Sequence, residues 1–215
     1  MTDTIAIIDY GSGNLRSAAK AFERVIAEEG MKFKVVVTDR PEEIAAAKKI
    51  VLPGQGAFGD CMQGLKKRKG LAEIIAQQIE KKGVPFLGIC VGMQLMATRG
   101  FEHGVHEGFG WIPGNVRKME LADETLKIPH MGWNTLNLLQ DHPALRHISK
   151  EDHFYFVHSF VVESKDMADI CATCDYGSAF SAIIGRGNVI GTQFHVEKSA
   201  DAGLRLIKGF LEWKI

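Results

Sequence analysis

Short apolar runs alternate with amphipathic stretches through the first hundred residues. Thr4 to Asp9 has the length and composition of a strand, and Gly11-Ser12-Gly13-Asn14 turns the chain after it. Leu15, Ala18, Ala19, Phe22, Val25 and Ile26 follow at helical spacing. Phe33 to Val37 predicts a second strand, Pro41 to Ala47 a short helix, and Lys49 to Leu52 a third strand. Leu71, Ile74, Ile75 and Ile79 mark a further amphipathic helix, which Gly83 stops. Val84 to Ile89 is apolar throughout, as suits a strand buried on both faces, and helix-forming residues come after it. Strands that alternate with helices imply right-handed crossovers and a parallel sheet.

After about Gly104 the pattern changes, and strand candidates follow one another directly. They are Asn115 to Met119, Asn134 to Leu138, His153 to Ser159, Asp169 to Asp175, Ala179 to Ile184 and Val189 to Phe194. Gly185-Arg186-Gly187-Asn188 joins the last two as a hairpin. Asp201 to Trp213 closes the chain as a helix with Leu204, Ile207, Phe210 and Leu211 inward and Ser199 as its N-cap. The expected fold class is α/β: an open, mostly parallel central sheet, helices on both faces, and additional antiparallel strands in the C-terminal half. No linker, repeat or low-complexity tract divides residues 1–215, so a single domain is expected.

Lysine plus arginine and aspartate plus glutamate each total 26, so nothing in the overall charge argues for nucleic acid or an anionic membrane. Lys66-Lys67-Arg68-Lys69 reads as a solvated helix end. No run is long and apolar enough to span a bilayer, and Met1-Thr2-Asp3-Thr4 lacks the start of a secretion signal. Four cysteines in 215 residues make no disulfide framework, which points to a reducing cytoplasm. Cys171-Ala172-Thr173-Cys174 has no second pair to complete a zinc site, and reads as strand packing. Gly11-Ser12-Gly13 lacks the third glycine of a dinucleotide motif, since Arg16 stands there. No metal or cofactor is therefore expected.

The chemistry centres on Gly88-Ile89-Cys90-Val91-Gly92. A cysteine bracketed by glycines between strand and helix has the layout of a nucleophile elbow. A buried core cysteine is the alternative, and the choice depends on finding a base. Of eight histidines, only His195 ends a strand with a carboxylate two residues on, Glu197. In extended chain those two side chains share a side, so Glu197 can orient the ring and leave its other nitrogen for the thiol. Cys90 and His195 both fall at carboxyl ends of strands, where parallel sheets open their crevices. Backbone donors for an oxyanion are available at Val91 and at Gln55 in Pro53-Gly54-Gln55-Gly56.

The elbow, together with Gln193-Phe194-His195-Val196-Glu197-Lys198-Ser199, resembles the class I, triad-type glutamine amidotransferases. Ile8-Asp9-Tyr10-Gly11-Ser12-Gly13-Asn14-Leu15, Leu52-Pro53-Gly54, Pro129-His130-Met131-Gly132-Trp133-Asn134 and Tyr155-Phe156-Val157-His158-Ser159 narrow this. They are similar to the glutaminase subunits of imidazole glycerol phosphate synthases. The resemblance implies a flavodoxin-like fold. It implies that Cys90 attacks the glutamine side-chain amide through a thioester, with His195 moving protons and Glu197 orienting it. It implies that Gly56, Gln94, Glu102, Ser159 and Phe160 surround bound glutamine, the last two through backbone. It further implies a heterodimer with a (β/α)8-barrel cyclase subunit, which takes the ammonia in histidine biosynthesis and faces Asn14, Trp133, Asn134, Tyr155 and Lys198. Trp133 and Tyr155 could instead be core aromatics. A sugar-modifying synthase partner, a partner-independent thiol hydrolase and a catalytically silent subunit are the other readings.

Three positions depart from that family pattern. Val196 stands where proline is usual, Phe160 where tyrosine is usual, and Gln55 where valine is usual. A β-branched residue stiffens its peptide neighbourhood, so a glutamine lets the donor peptide reorient more readily. We expect Gln55→Val to lower glutamine turnover measured without a cyclase ligand. Equal or higher basal turnover in the variant would contradict this.

Overall fold

The apolar runs of the N-terminal half become the parallel part of one large sheet. In the computed structural model, which describes residues 2–123 and 125–215, β1 (Asp3–Ile8) passes through α1 (Leu15–Glu28) to β2 (Phe33–Thr38). From there α2 (Pro41–Ala45) returns the chain to β3 (Lys49–Gly54). Then α3 (Phe58–Lys67) and α4 (Leu71–Glu80) lead to β4 (Phe86–Cys90). The first move along the sheet runs one way and the later moves run the other. Right-handed crossovers therefore put α1 on one face and α2 to α4 on the opposite face. The helix α3 is signalled in the sequence only by the helix end at Lys66-Lys67-Arg68-Lys69, with no start or apolar face, although Phe58, Cys61, Met62 and Leu65 form its buried stripe. Gly59 and Gly64 dilute that pattern, and both are needed small: a Cβ would meet the His106 ring at the first and the Tyr10 carbonyl at the second.

Beyond β4 the helix expected after the elbow is a single turn, α5 (Val91–Gln94). The chain then extends into β5 (Ala97–Gly100), β6 (His106–Glu107) and β7 (Ile112–Lys118). The strand expected over Asn134 to Leu138 is two: β8 (His130–Asn134) and β9 (Asn137–Leu138), which join different sheets. Next come β10 (Phe154–His158) and β11 (Phe160–Ser164), the latter not foreseen. They are followed by β12 (Ile170–Asp175), β13 (Ala179–Arg186), β14 (Val189–Thr192) and α6 (Ala200–Glu212).

The large sheet runs β2-β1-β3-β4-β14-β13-β12-β9, parallel as far as β14 and antiparallel beyond it. Smaller sheets, β11-β7-β5-β6 and β10-β8, lie beside it. The hairpin expected between the last two strands is present, with Arg186 opposite Val189. On one face α1 packs on α6, and the Phe22 and Phe210 rings meet edge to face at 6.2 Å. Every residue of β4 is buried between β3 and β14.

The sharp turn after β4 is possible only because two glycines lie where backbones cross. A Cβ on Gly92 would collide with the Leu52 carbonyl oxygen of β3, and one on Gly88 would meet the Gly92 carbonyl oxygen at 2.5 Å. We expect Gly92→Ala to lower unfolding free energy by about 3 kcal/mol in urea melts, the upper end of ordinary overpacking. A loss under about 1 kcal/mol would show that the crossing can relax.

Candidate active site

Cys90 carries φ 55° and ψ −111° at the end of β4, a conformation that non-glycine residues rarely adopt. Such strain costs about 1–3 kcal/mol and persists only where surrounding packing enforces it. The residue is 5% exposed and lines a cavity of about 490 Å³, within the size range of small-molecule sites. Since α5 has one turn, its dipole adds less to a thiolate there than a long helix would.

The pairing of Thr192 with Ile89 brings the end of β14 beside the elbow, and His195 lies three residues on, lining the same cavity. Its backbone is held at both ends. The His195 N–H donates to the Tyr155 carbonyl at 3.0 Å, and the Ser199 hydroxyl donates to the His195 carbonyl at 2.6 Å. That hydroxyl also accepts the Tyr155 N–H at 3.0 Å. Ser199 precedes α6 as expected but makes no side-chain cap, because its hydroxyl serves the His195 segment instead.

His195 Nδ1 lies 2.8 Å from Glu197 Oε1, and both side chains are buried. The contact does not arise from extended chain, since Val196–Lys198 forms a 3-10 turn. Glu197 Oε2 is buried with no hydrogen-bond partner among the described residues. Burial works to lower the His195 pKa, but hydrogen bonds with Cys90 and Glu197, and the charges of both, outweigh it and raise the value to about 9. At neutral pH the ring is an imidazolium that donates through Nδ1.

Gln55, Gly56, Val91, Gln94, Glu102, Ser159, Phe160 and Lys198 line the cavity with Cys90 and His195, while Glu197 sits behind the imidazole. Gln94 Nε2 donates to the Phe160 carbonyl at 3.1 Å and to Gln193 Oε1 at 3.2 Å, which leaves the Gln94 oxygen for a ligand. Glu102 Oε2 accepts the Phe58 N–H at the start of α3 at 3.0 Å. The Ser159 carbonyl accepts from the Met119 N–H at 2.9 Å. The Phe160 carbonyl accepts from both Gln94 and His158, so it has no lone pair left for a substrate. Under the loop expected to carry the oxyanion donor, the Gln55 carbonyl accepts from the Ser12 hydroxyl and, at 3.5 Å, from the Cys61 thiol. Gly11-Ser12-Gly13 is thus a brace for that loop and not only a turn. Arg68 likewise is not a free cation: it donates to the Tyr10 carbonyl at 2.6 Å.

Away from the cavity, Trp133 is 52% exposed and Met131 61%, two residues apart and so on the same side of β8. Tyr155 pairs across from Trp133, with the rings 5.8 Å apart, so neither is a core aromatic. Asn14 is half-buried before α1, and Lys198 is exposed at the cavity rim. Asn134 commits its amide to the chain itself, donating to the Asp175 carbonyl at 2.8 Å and accepting from the Thr135 N–H at 2.8 Å. Met131 and Gln193 were not foreseen as site residues. Gln193 could have been, since it stands two residues before His195 as Glu197 stands two after.

Cys61, Cys171 and Cys174 are buried and free, and burial pushes the last two up to about 11 and about 12. Among the described residues no three His, Cys, Asp or Glu side chains could hold a metal ion, and no helix is long and apolar enough to cross a membrane.

The family model described as glutamine amidotransferase class-I matches residues 6–212. The imidazole glycerol phosphate synthase subunit HisH of Agrobacterium fabrum (strain C58) is 52% identical over 213 residues, covering 98% of this chain and 99% of its own. Subunits of the same name from Bradyrhizobium diazoefficiens and Rhizobium meliloti are each 51% identical, covering 98% of this chain and 99% of their own. Among solved structures, a glutamine amidotransferase superposes with TM-score 0.71 at 18% identity, covering 96% of this chain and 97% of its own. Another, from Thermotoga maritima, superposes with TM-score 0.63 at 18% identity, covering 99% and 84%. These two attest the fold.

The raised His195 value has a consequence for stability. Against an unfolded-state pKa of 6.5, a folded value of about 9 means that what the charged ring gains from Cys90 and, after it, Glu197 is complete below pH 6.5 and is lost as pH rises through about 9. We expect Glu197→Gln to destabilise by about 1–3 kcal/mol at pH 6 and by much less at pH 10, read from urea midpoints. A deficit that does not shrink with pH would refute the pairing.

Proposed function

The chain belongs to the class I glutamine amidotransferases and, within them, to the HisH subunits of imidazole glycerol phosphate synthase. On that premise we propose that Cys90, His195 and Glu197 hydrolyse glutamine and release ammonia to a partner. The observation that carries the reading is a strained, cavity-facing Cys90 beside a buried His195–Glu197 pair at 2.8 Å.

In the first half-reaction the Cys90 thiolate, its proton held by His195, adds to the side-chain amide carbon of glutamine. The backbone donors of Gln55 and Val91 take the charge that develops on oxygen. The C–N bond breaks, and the His195 imidazolium gives the leaving nitrogen its proton, so ammonia departs and a thioester remains. Neutral His195 then accepts a proton from water as that water adds to the thioester carbon. The C–S bond breaks with its electron pair on sulfur, and glutamate leaves. Glu197 keeps Nδ1 protonated and Nε2 directed at the reacting atoms throughout. Around the substrate, Gln94 offers an acceptor oxygen, Glu102 a carboxylate for the ammonium group, and Gly56 and Ser159 backbone. The Phe160 carbonyl is excluded from that set by its two existing donors.

The ammonia acceptor in this reading is a (β/α)8-barrel cyclase in the histidine pathway, docked as a heterodimer over Met131, Trp133, Tyr155, Asn14 and Lys198. The exposed side chains of Met131 and Trp133, with the half-buried Tyr155 ring against Trp133, support a protein partner there. We take residues 1–215 to work as one domain. The compartment is the cytoplasm, which its free cysteines suit.

Glutamate release from glutamine, assayed with and without the barrel cyclase and its nucleotide ligand, tests the reading. Turnover should rise at least tenfold in the complete mixture. Cys90→Ala should abolish glutamine-dependent synthesis while sparing synthesis from added ammonia. Turnover indifferent to the partner would leave a free-standing thiol hydrolase.

A further inference from the structure

Besides the His195 side, the Cys90 sulfur has a second polar neighbour. Gln193 is fully buried, and its Nε2 lies 3.8 Å from Cys90 Sγ. An amide has a donor end and an acceptor end of nearly the same shape, so its polarity is decided by its partners. Here every assignment follows from one backbone group. The Phe160 carbonyl can only accept, and Gln94 faces it at 3.1 Å. Gln94 therefore turns its NH2 that way, and the second proton of that NH2 goes to Gln193 Oε1 at 3.2 Å. With its oxygen occupied, Gln193 presents its own NH2 to the sulfur.

On the other side of the same carbonyl, His158 Nδ1 lies at 3.0 Å and must carry the proton. Its Nε2 is then an acceptor for His130 Nδ1 at 3.1 Å. Burial, helped by the neighbouring imidazoles, takes His158 down to about 3, and burial takes His130 down to about 4. Both rings are neutral at working pH, and no charge from this pair competes for the chain. The series from His130 through His158, the Phe160 carbonyl, Gln94 and Gln193 ends on sulfur with each of these contacts matched donor to acceptor.

We propose that Gln193 is a further catalytic residue, whose amide N–H donates to the Cys90 thiolate and whose direction is fixed by Gln94 and the Phe160 carbonyl acting as positioning groups. This rests on Cys90 being the nucleophile. The donor matters at the two moments when sulfur is negative: before it adds to the amide, and as the C–S bond breaks and the pair returns to it. Hydrogen bonds to charged partners are stronger than neutral ones, and a buried donor cannot be replaced by water.

The test follows the sulfur and not ammonia. On the full chain, iodoacetamide alkylation of Cys90 is measured by peptide mass spectrometry across pH for wild type, Gln193→Met and Gln193→Glu. Other titratable groups that feel the Cys90 charge are His195, Cys61 and Tyr10. Burial pushes Cys61 and Tyr10 up, so neither confuses the neutral range. Gln193→Met should move the profile to higher pH and cut reactivity at pH 7 about fivefold, within what loss of a charge-assisted bond allows. Gln193→Glu, equal in size but with an oxygen facing the sulfur, should move it further. Should Gln193→Met not fold, the glutamate variant decides alone. A profile that coincides with wild type in a folded variant overturns the proposal. A wild-type Cys90 that does not react at all overturns both this and the nucleophile assignment on which it rests, whereas an unmoved but reactive sulfur overturns this alone.

Discussion

The backbone of Gly92 lies so close to the carbonyl of Leu52 that no side chain fits between them. That crossing holds the turn after β4 tight against β3 and leaves Cys90 no way through the bend except at positive φ. The strain is tolerated because β4 is buried along its whole length and flanked by parallel partners on both edges. The same pairing sets the neighbours: Gly54 pairs with Cys90, and Thr192 with Ile89. A loop with backbone donors and a segment with a histidine are therefore delivered to one rim of the sheet by register alone.

At that rim, polarity is economical. Glu197 is buried and compensated by His195 alone, its second oxygen having no partner among the described residues. A buried carboxylate in that situation favours a protonated neighbour, which is the form needed to give a leaving nitrogen its proton. Ser199 ties the carbonyl of His195 to the backbone of β10, so the strand that presents Tyr155 outward also anchors the base. Catalytic rim and exposed strand face are thereby parts of one hydrogen-bonded assembly.

The loop carrying Gln55 has a different kind of support. Its carbonyl is held by Ser12 and Cys61, from the turn after β1 and from α3. That hold lies one peptide beyond the Gln55 N–H, so it limits the loop without fixing the donor. The residue type at position 55 still decides how freely the preceding peptide turns.

Much of this was legible in the chain order. Alternating apolar and amphipathic segments gave the parallel half, because strand and helix periods are local properties of a few residues. Cys90 between glycines and His195 two residues from Glu197 were legible for the same reason. The single turn after the elbow, the division of Asn134 to Leu138 between two sheets and the existence of β11 were not, since each depends on which distant strand offers hydrogen bonds. Nor could Ser199 be seen to leave its helix, Asn134 to turn inward, or Gln193 to present nitrogen to sulfur. Residue types and spacing determined which chemistry was available and roughly where along the fold it would fall. Only the tertiary structure decided which end of each buried amide, hydroxyl and ring faces which partner, because that choice is made by groups forty to a hundred residues away.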